Sequence, residues 1–166
     1  MYEKSIELLN QGVADELWAV HQYMYFHFHC DDQGYDLLAA MFKRIAIQEM
    51  LHVEEFAERI LFLGGEVDMV PSHEVVKIHD VREMLEKAME MEKKAVLDYN
   101  KHALESANNL DSASKTVFED LVVDEEGHSD QFETQLMHLD KFGEQYLALQ
   151  SMERSRSIAT GAATEE

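Results

Sequence analysis

Four residues that can take part in metal chemistry are each followed, 76 positions later, by a residue of the same type. The pairs are Glu16 and Glu92, Tyr23 and Tyr99, Glu49 and Glu125, and His52 and His128. The Glu-x-x-His pairs have i, i+3 spacing, which places both side chains on one face of a helix. Such a pair from each of two helices, with one further Glu from each of two others, is the ligand set of a di-iron four-helix bundle. The sequence therefore predicts a two-metal site held by Glu16, Glu49, His52, Glu92, Glu125 and His128.

The four glutamates occupy positions at which the helical pattern calls for apolar residues. Burying four carboxylates together is strongly unfavourable unless their charge is compensated. Two divalent cations would balance the four negative charges, and two neutral imidazoles would add ligands without adding charge. Oxygen donors with one imidazole per metal favour Fe²⁺ or Mn²⁺ and leave positions open for O₂ or peroxide, although Zn²⁺ can bind the same ligands.

The two tyrosines lie two helical turns along from two of the glutamates. Tyr23 follows Glu16 and Tyr99 follows Glu92, in each case on the same helix face. One interpretation is that they hydrogen-bond to the ligands or donate an electron, and Tyr23 is assigned to the catalytic set on that basis. The alternative is a buried tyrosine whose hydroxyl bonds to an ordinary core partner.

Four long helices must position these residues. Apolar residues recur at steps of three and four, which is typical of helices packed in a bundle. The predicted helices cover about residues 3–30, from after Gly34 to Leu63, from Asp80 to Asn108, and from after Asp111 to at least Leu139. Gly64-Gly65 predicts a helix end, and Asp80 with Glu83 predicts an N-cap.

The connections between the predicted helices indicate how the bundle is arranged. Short turns join the first two and the last two helices, and a long non-periodic stretch, residues 66–79, lies between the pairs. This is the connectivity of an all-α ferritin-like four-helix bundle with a long crossover between the second and third helices. A short fifth helix is predicted over residues 144–152. Residues 1–152 then form one domain, and residues 153–166 form a polar tail without regular structure.

The 76-residue offset also relates packing residues. Phe42 corresponds to Phe118, and Phe56 corresponds to Phe132. The sequence therefore predicts two copies of a helical hairpin, related by a pseudo-two-fold axis through the metal site.

Composition excludes several classes of protein. The formal charge of −20 argues against nucleic-acid binding, because phosphate would be repelled. The single cysteine, Cys30, cannot form an internal disulfide or a four-cysteine metal module, which favours a reducing cytoplasm. Charged residues near the N-terminus do not fit a signal peptide, and no apolar run approaches the length of a membrane span. We therefore expect a cytoplasmic protein with no nucleic-acid or membrane partner.

At these residues the chain resembles the bacterioferritins of the ferritin-like superfamily, over about residues 1–150. The stretches that carry the resemblance are Asp15-Glu16-Leu17, Gln22-Tyr23, Gln48–His52, Glu58–Gly65 and Asp124–His128. The resemblance implies a ferroxidase that oxidises Fe²⁺ with O₂ or H₂O₂ and stores ferric mineral inside a homo-oligomeric shell of twenty-four chains. It also implies that Glu49 and Glu125 bridge the two irons, and that a ferredoxin-type donor supplies electrons for iron release.

Two further expectations concern Met50 and His27. Met50 matches the family position whose thioether binds haem b between two chains, and one residue along a helix is a turn of about 100°, so Met50 points away from the metals. An ordinary packed methionine is the alternative.

His27 continues the pattern of the first helix and is either a partner of the metal ligands or a histidine satisfied in the core or at an interface. The turn before Glu49, with Arg44 and Gln48, does not favour an accessory iron site on the inner surface.

Other functions are compatible with parts of the pattern. A Dps-like mini-ferritin of twelve chains would use a similar site, although such relatives carry a cysteine pair that is missing here. A rubrerythrin-like peroxide reductase would need electrons from a partner, because the chain has no rubredoxin cysteines. A helical interaction module that binds no metal would tolerate the replacement of Glu49 and Glu125 by leucine.

Overall fold

The computed structural model describes residues 2–161 of the chain, and every regular element in that range is a helix. The elements are α1 (Glu3–Asp32), α2 (Asp36–Phe62), α3 (Val81–Asn108), α4 (Ser112–Phe142), α5 (Glu144–Gln150) and α6 (Met152–Thr160). Helix α1 packs along α2, and α3 packs along α4, so the bundle consists of two hairpins joined by a long crossover. This confirms the predicted fold class. No helix within residues 2–161 is both long and apolar enough to cross a bilayer.

The C-terminus of α2 and the N-terminus of α3 are capped in ways that satisfy free backbone groups. Gly64 follows α2 with a φ of 78°, and the next N–H, of Gly65, donates to the carbonyl of Ile60 over 3.0 Å. This is the Schellman pattern, which needs the left-handed conformation that glycine adopts freely. Asp80 caps α3 by accepting the Glu83 N–H at 3.0 Å, as predicted from the sequence.

Two side-chain amides on α1 hold the crossover against the bundle. The buried amide of Gln22 donates to the Val76 carbonyl at 2.9 Å and accepts the Val76 N–H at 2.8 Å. Asn10 donates to the Glu66 carbonyl at 2.9 Å and accepts the Asp68 N–H at 2.8 Å. Each amide thus replaces the two hydrogen bonds that a neighbouring strand would supply, which satisfies backbone groups in a segment without secondary structure.

The core has two apolar clusters, each built around an aromatic trio. Tyr23, Phe42 and Phe132 lie in one cluster, with ring centroids 5.6–6.2 Å apart. Tyr99, Phe118 and Phe56, their equivalents at the 76-residue offset, lie in the other at 5.2–5.8 Å. The matching trios support the duplicated hairpin predicted from the sequence.

The C-terminal segment differs from the prediction. The expected fifth helix is shorter, ending at Gln150, and a sixth helix covers Met152–Thr160, where the sequence predicts a tail without regular structure. The prediction is therefore wrong up to Thr160, and its remainder, residues 162–166, lies outside the described residues. Methionine, glutamate, arginine and alanine in this segment are strong helix formers, and they outweigh its serines. Helix α6 also packs against α2.

Candidate metal centre

All four long helices contribute to one buried polar layer. Helix α1 carries Glu16 and Tyr23, α3 carries the equivalent Glu92 and Tyr99, and the two Glu-x-x-His pairs lie on α2 and α4. Every one of these residues has at most 4 % of its surface exposed. The structure therefore brings together every residue that the sequence assigned to the two-metal site.

The six glutamates and histidines form two overlapping groups of candidate ligands. One group is Glu16, Glu49, His52 and Glu125, and the other is Glu49, Glu92, Glu125 and His128. Within each group, one ligand atom from every residue lies within 4.8 Å of the others. Glu49 and Glu125 belong to both groups, so the arrangement has room for two neighbouring cations that share two carboxylates.

The shared carboxylates face both imidazoles. Glu49 places Oε2 2.9 Å from His52 Nδ1 and Oε1 3.0 Å from His128 Nδ1. Glu125 places Oε1 3.0 Å from His52 Nδ1 and Oε2 3.0 Å from His128 Nδ1. Each of the two carboxylates thus directs one oxygen to each half of the site, which is the orientation that a bridging ligand requires.

Several of these atoms have no hydrogen-bond partner among the described residues. They are both carboxylate oxygens of Glu49, Glu125 Oε1 and His52 Nδ1. The ring nitrogen lies close to the carboxylates, but the geometry is not that of a hydrogen bond. Leaving buried ionisable atoms without partners is costly, and a cation placed between them would remove that cost. Four carboxylates and two imidazoles also form a donor set suited to iron or manganese.

The electrostatics of the cluster reflect its burial and its crowding. Burial raises the pKa of Glu16 and Glu92 well above the usual carboxyl range, and the nearby charges of Glu125 and Glu49 raise both further. Burial opposes protonation of His128, but Glu125 and Glu49 outweigh it and raise the pKa of His128 to about 9. The cluster without metal therefore holds protons that cations would displace.

The tyrosines connect the two hairpins across the site. The Tyr99 hydroxyl on α3 donates to Glu16 Oε1 on α1 at 2.5 Å, and the Tyr23 hydroxyl on α1 donates to Glu92 on α3. Both tyrosines therefore bond to candidate ligands, which supports the functional interpretation over an ordinary core partner. Tyr99 is the structural equal of Tyr23, although only Tyr23 was assigned to the catalytic set.

The outer nitrogens of the imidazoles contact two residues outside the predicted ligand set. His52 Nε2 lies 3.4 Å from Asp124 Oδ2, and His128 Nε2 lies 3.2 Å from Gln48 Oε1. Each of these two residues directly precedes the shared glutamate of its own hairpin, Glu125 or Glu49, and the two lie at equivalent positions of the 76-residue repeat. The repeat therefore contained the signal for both.

Met50 and His27 lie outside the cluster. Met50 is 52 % exposed, so it is not packed inside its own chain. His27 Nδ1 is paired with the Ala39 carbonyl at 2.9 Å, which makes it a satisfied histidine between α1 and α2 and not a partner of the metal ligands.

Comparisons with known proteins agree with this geometry. A profile of the ferritin-like domain family matches residues 6–142. A bacterioferritin of Desulfovibrio desulfuricans is 37 % identical over 87 % of this chain and 81 % of its own length. One from Brucella melitensis is also 37 % identical, over 86 % of this chain and 88 % of its own.

A solved structure gives the same result in three dimensions. The X-ray structure of the Desulfovibrio desulfuricans bacterioferritin, which describes its diiron site in different catalytic states, superimposes with a TM-score of 0.87. The two chains are 36 % identical, and the match covers 89 % of this chain and 86 % of the other. With the shared fold, the sequence identity and the buried carboxylate and histidine layer, the chain belongs to the ferritin-like domain family and, within it, to the bacterioferritins.

Proposed function

We propose that this protein is an iron-storage and detoxifying ferroxidase, which oxidises Fe²⁺ at a di-iron site inside each chain. The observation that carries the proposal is the pair of overlapping ligand groups that share Glu49 and Glu125. A single Glu-x-x-His on a helix would be weak support, but two such pairs, each completed by a Glu from another helix, form a full dinuclear set. The unpartnered oxygens of Glu49 add support, since a buried carboxylate needs a cation or a donor.

The residues divide into bridging, terminal and orienting groups. Glu49 and Glu125, which belong to both ligand groups, would be shared by the two irons. Glu16 with His52 would complete one set of ligands, and Glu92 with His128 would complete the other. The Tyr99 hydroxyl donates to one oxygen of Glu16, and the Tyr23 hydroxyl donates to one oxygen of Glu92. Each bond restricts the rotation of the carboxylate that accepts it.

Iron supplies the redox chemistry when bound: each Fe²⁺ loses one electron, and O₂ or H₂O₂ accepts the electrons. The protein keeps the site buried and supplies ligands without filling every coordination position, so that the oxidant has access. The protons released from Glu16 and Glu92 as iron binds are available to the reduced oxidant.

The proposal extends to assembly and to haem. Twenty-four chains would form a hollow cytoplasmic shell that stores the ferric mineral, and a ferredoxin-type partner would supply electrons for its release. Exposed apolar side chains on α2, including Ile47, Met50 and Leu51, support an interface between chains.

The thioether of Met50 is accessible on that surface for haem b shared by two chains. A Soret band that disappears in Met50→Leu tests this, and a wild-type protein without the band would contradict it.

The ferroxidase itself is tested by anaerobic titration with Fe²⁺, followed by O₂ or H₂O₂, with absorbance monitored on a sizing column. We expect two Fe²⁺ per chain, fast oxidation and further uptake into a particle of several hundred kilodaltons. Glu125→Leu should abolish stoichiometric binding, and the neighbouring exposed Glu126→Leu is its matched control. Saturation at two irons in a small oligomer would indicate a rubrerythrin-like reductase, and a twelve-chain particle would indicate a Dps-like mini-ferritin. No stoichiometric binding would refute the proposal.

A further inference from the structure

The pseudo-two-fold symmetry of the metal centre is broken directly behind the two imidazoles. On one side, the outer nitrogen of His52 lies 3.4 Å from a carboxylate oxygen of Asp124. On the other, the outer nitrogen of His128 lies 3.2 Å from the amide oxygen of Gln48. Gln48 and Asp124 are equivalent positions of the 76-residue repeat, so one imidazole contacts a carboxylate where the other contacts an amide.

The difference in charge extends to the next residues outward. Arg44 lies one helical turn before Gln48, and its Nη1 is 3.4 Å from the Gln48 Oε1 atom. Arg44 also donates to Gln131 on α4. The repeat places Asp120 at the position equivalent to Arg44, and Glu55 at the position equivalent to Gln131. The repeat positions that hold a cation and an amide next to Gln48 therefore hold two acidic residues in the other half of the chain.

These contacts determine how basic each imidazole is as a ligand. In both histidines Nδ1 faces the carboxylates at the centre of the site, so the outer nitrogen carries the ring proton when Nδ1 binds a metal. Gln48 is placed to accept a hydrogen bond from His128, whereas Asp124 approaches His52 as an ion-pair partner with a side chain that is 60 % exposed. Asp124 therefore acts on His52 through its negative charge, which makes the imidazole a stronger ligand than a neutral amide oxygen would.

We propose that the two metal positions are unequal in this chain, and that the position formed by Glu16 and His52 with the bridging glutamates fills first. This inference rests on the proposed function, since it requires that the cluster bind two divalent metals. Stepwise binding alone would not demonstrate it, because the first dication repels the second even in a symmetric site. The decisive observations are which side fills first and how the order responds to exchange of Asp124 and Gln48.

Redox-inactive loading with Co²⁺ under anaerobic conditions tests the proposal without turnover. Calorimetry gives the stoichiometry and the affinity of each step. Crystals prepared with one Co²⁺ per chain, measured at the cobalt absorption edge, give the occupancy of each position. In the wild type we expect the anomalous signal to be concentrated beside Glu16 and His52.

Three variants separate the proposed cause from a general effect of surface charge. Asp124→Asn should weaken the first step by up to about fivefold, because its interaction with His52 is partly screened by solvent. Asp130→Asn, an exposed carboxylate on the same helix, should leave both steps unchanged. The exchange variant Gln48→Asp with Asp124→Gln keeps the composition and net charge, and it should move the first Co²⁺ to the side of Glu92 and His128.

The possible results are distinguishable. Two Co²⁺ per chain with equal occupancy at one equivalent would overturn the inference and leave the proposed function intact. The same conclusion would follow if the exchange variant filled the same side first as the wild type. Failure to bind two Co²⁺ per chain would contradict the proposed function itself.

Discussion

Replacing Glu49 by leucine should affect the protein without metal and the protein with metal in opposite directions. Glu49 is completely buried, and neither of its carboxylate oxygens has a hydrogen-bond partner among the described residues. Leucine has a similar size and no charge to desolvate. In the metal-free protein, Glu49→Leu therefore removes an unfavourable group from the centre of the bundle.

The size of the effect follows from the cost of buried charge. Replacing a buried ion pair by apolar residues of similar volume is often neutral or stabilises proteins by about 1–4 kcal/mol, whereas removing one partner of a pair is destabilising. Glu49→Leu is close to the first case, because Glu125 still lies 3.0 Å from both imidazoles and the repulsion between Glu49 and the other buried carboxylates is removed. For a chain of this length, 1 kcal/mol corresponds to about 2–4 °C in Tm, so the metal-free variant should melt about 8–16 °C higher at the top of that range. Metal binding stabilises the wild type by about 2.7 kcal/mol per site at a metal concentration one hundred times Kd, and the variant should lose this gain.

Thermal unfolding followed by circular dichroism, with and without Co²⁺ at one protein concentration, measures both effects. Glu58→Leu, an exposed glutamate on the same helix, is the matched control and should respond to Co²⁺ as the wild type does. The reasoning would be refuted if Glu49→Leu lowered Tm in the absence of metal, or if Co²⁺ stabilised the variant as much as the wild type.

Three further predictions concern the tyrosine bonds, the protons of the cluster and the cap of α4. Tyr99→Phe removes the donor to Glu16 and should weaken Co²⁺ binding by about 10- to 100-fold, measured by anaerobic titration; unchanged affinity would exclude an orienting role. Because burial raises the pKa of Glu16 and Glu92, metal loading near neutral pH should release protons, so calorimetric enthalpies should vary with the ionisation enthalpy of the buffer. Asp111 accepts from Ser114 and from Arg59 at 2.7 Å, and Asp111→Ala should cost about 3–5 kcal/mol at neutral pH in urea unfolding. Burial opposes ionisation of Asp111, but the bonds from Ser114 and Arg59 outweigh it and lower its pKa. The contribution of Asp111 to stability is therefore present above the unfolded pKa of about 4 and is lost as the pH falls through the lower folded pKa. An equal cost of Asp111→Ala at neutral and at strongly acid pH would contradict this.

The sequence was sufficient to predict which glutamates and histidines form the buried layer, because this set of residues occurs twice in the chain. The i, i+3 spacing and the 76-residue offset fix which face of each helix carries Glu49 and His52, and their equivalents follow. The caps at Asp80 and Gly64 were predictable for a similar reason, since each depends on backbone groups a few residues away.

Other features depend on contacts that local patterns do not encode. The bond from Tyr99 to Glu16 joins residues on different hairpins, so helix periodicity could place both on the buried face but could not pair them. The amide of Gln22 recognises the backbone of Val76, and such a contact leaves no compositional signal in the crossover. Helix α6 was missed because its serines suggested a tail, whereas its packing against α2 is a tertiary contact.

The division of ligands between the two hairpins has a mechanical consequence. One hairpin supplies Glu16, Glu49 and His52 to its own half of the site, and the fourth ligand, Glu125, comes from the other hairpin. Neither hairpin can therefore complete a coordination sphere by itself, and each bound metal ion would act as a cross-link between the two halves of the chain. The helix backbones lie closer together within each hairpin than between the hairpins, so bound metals would join the bundle across its wider interface.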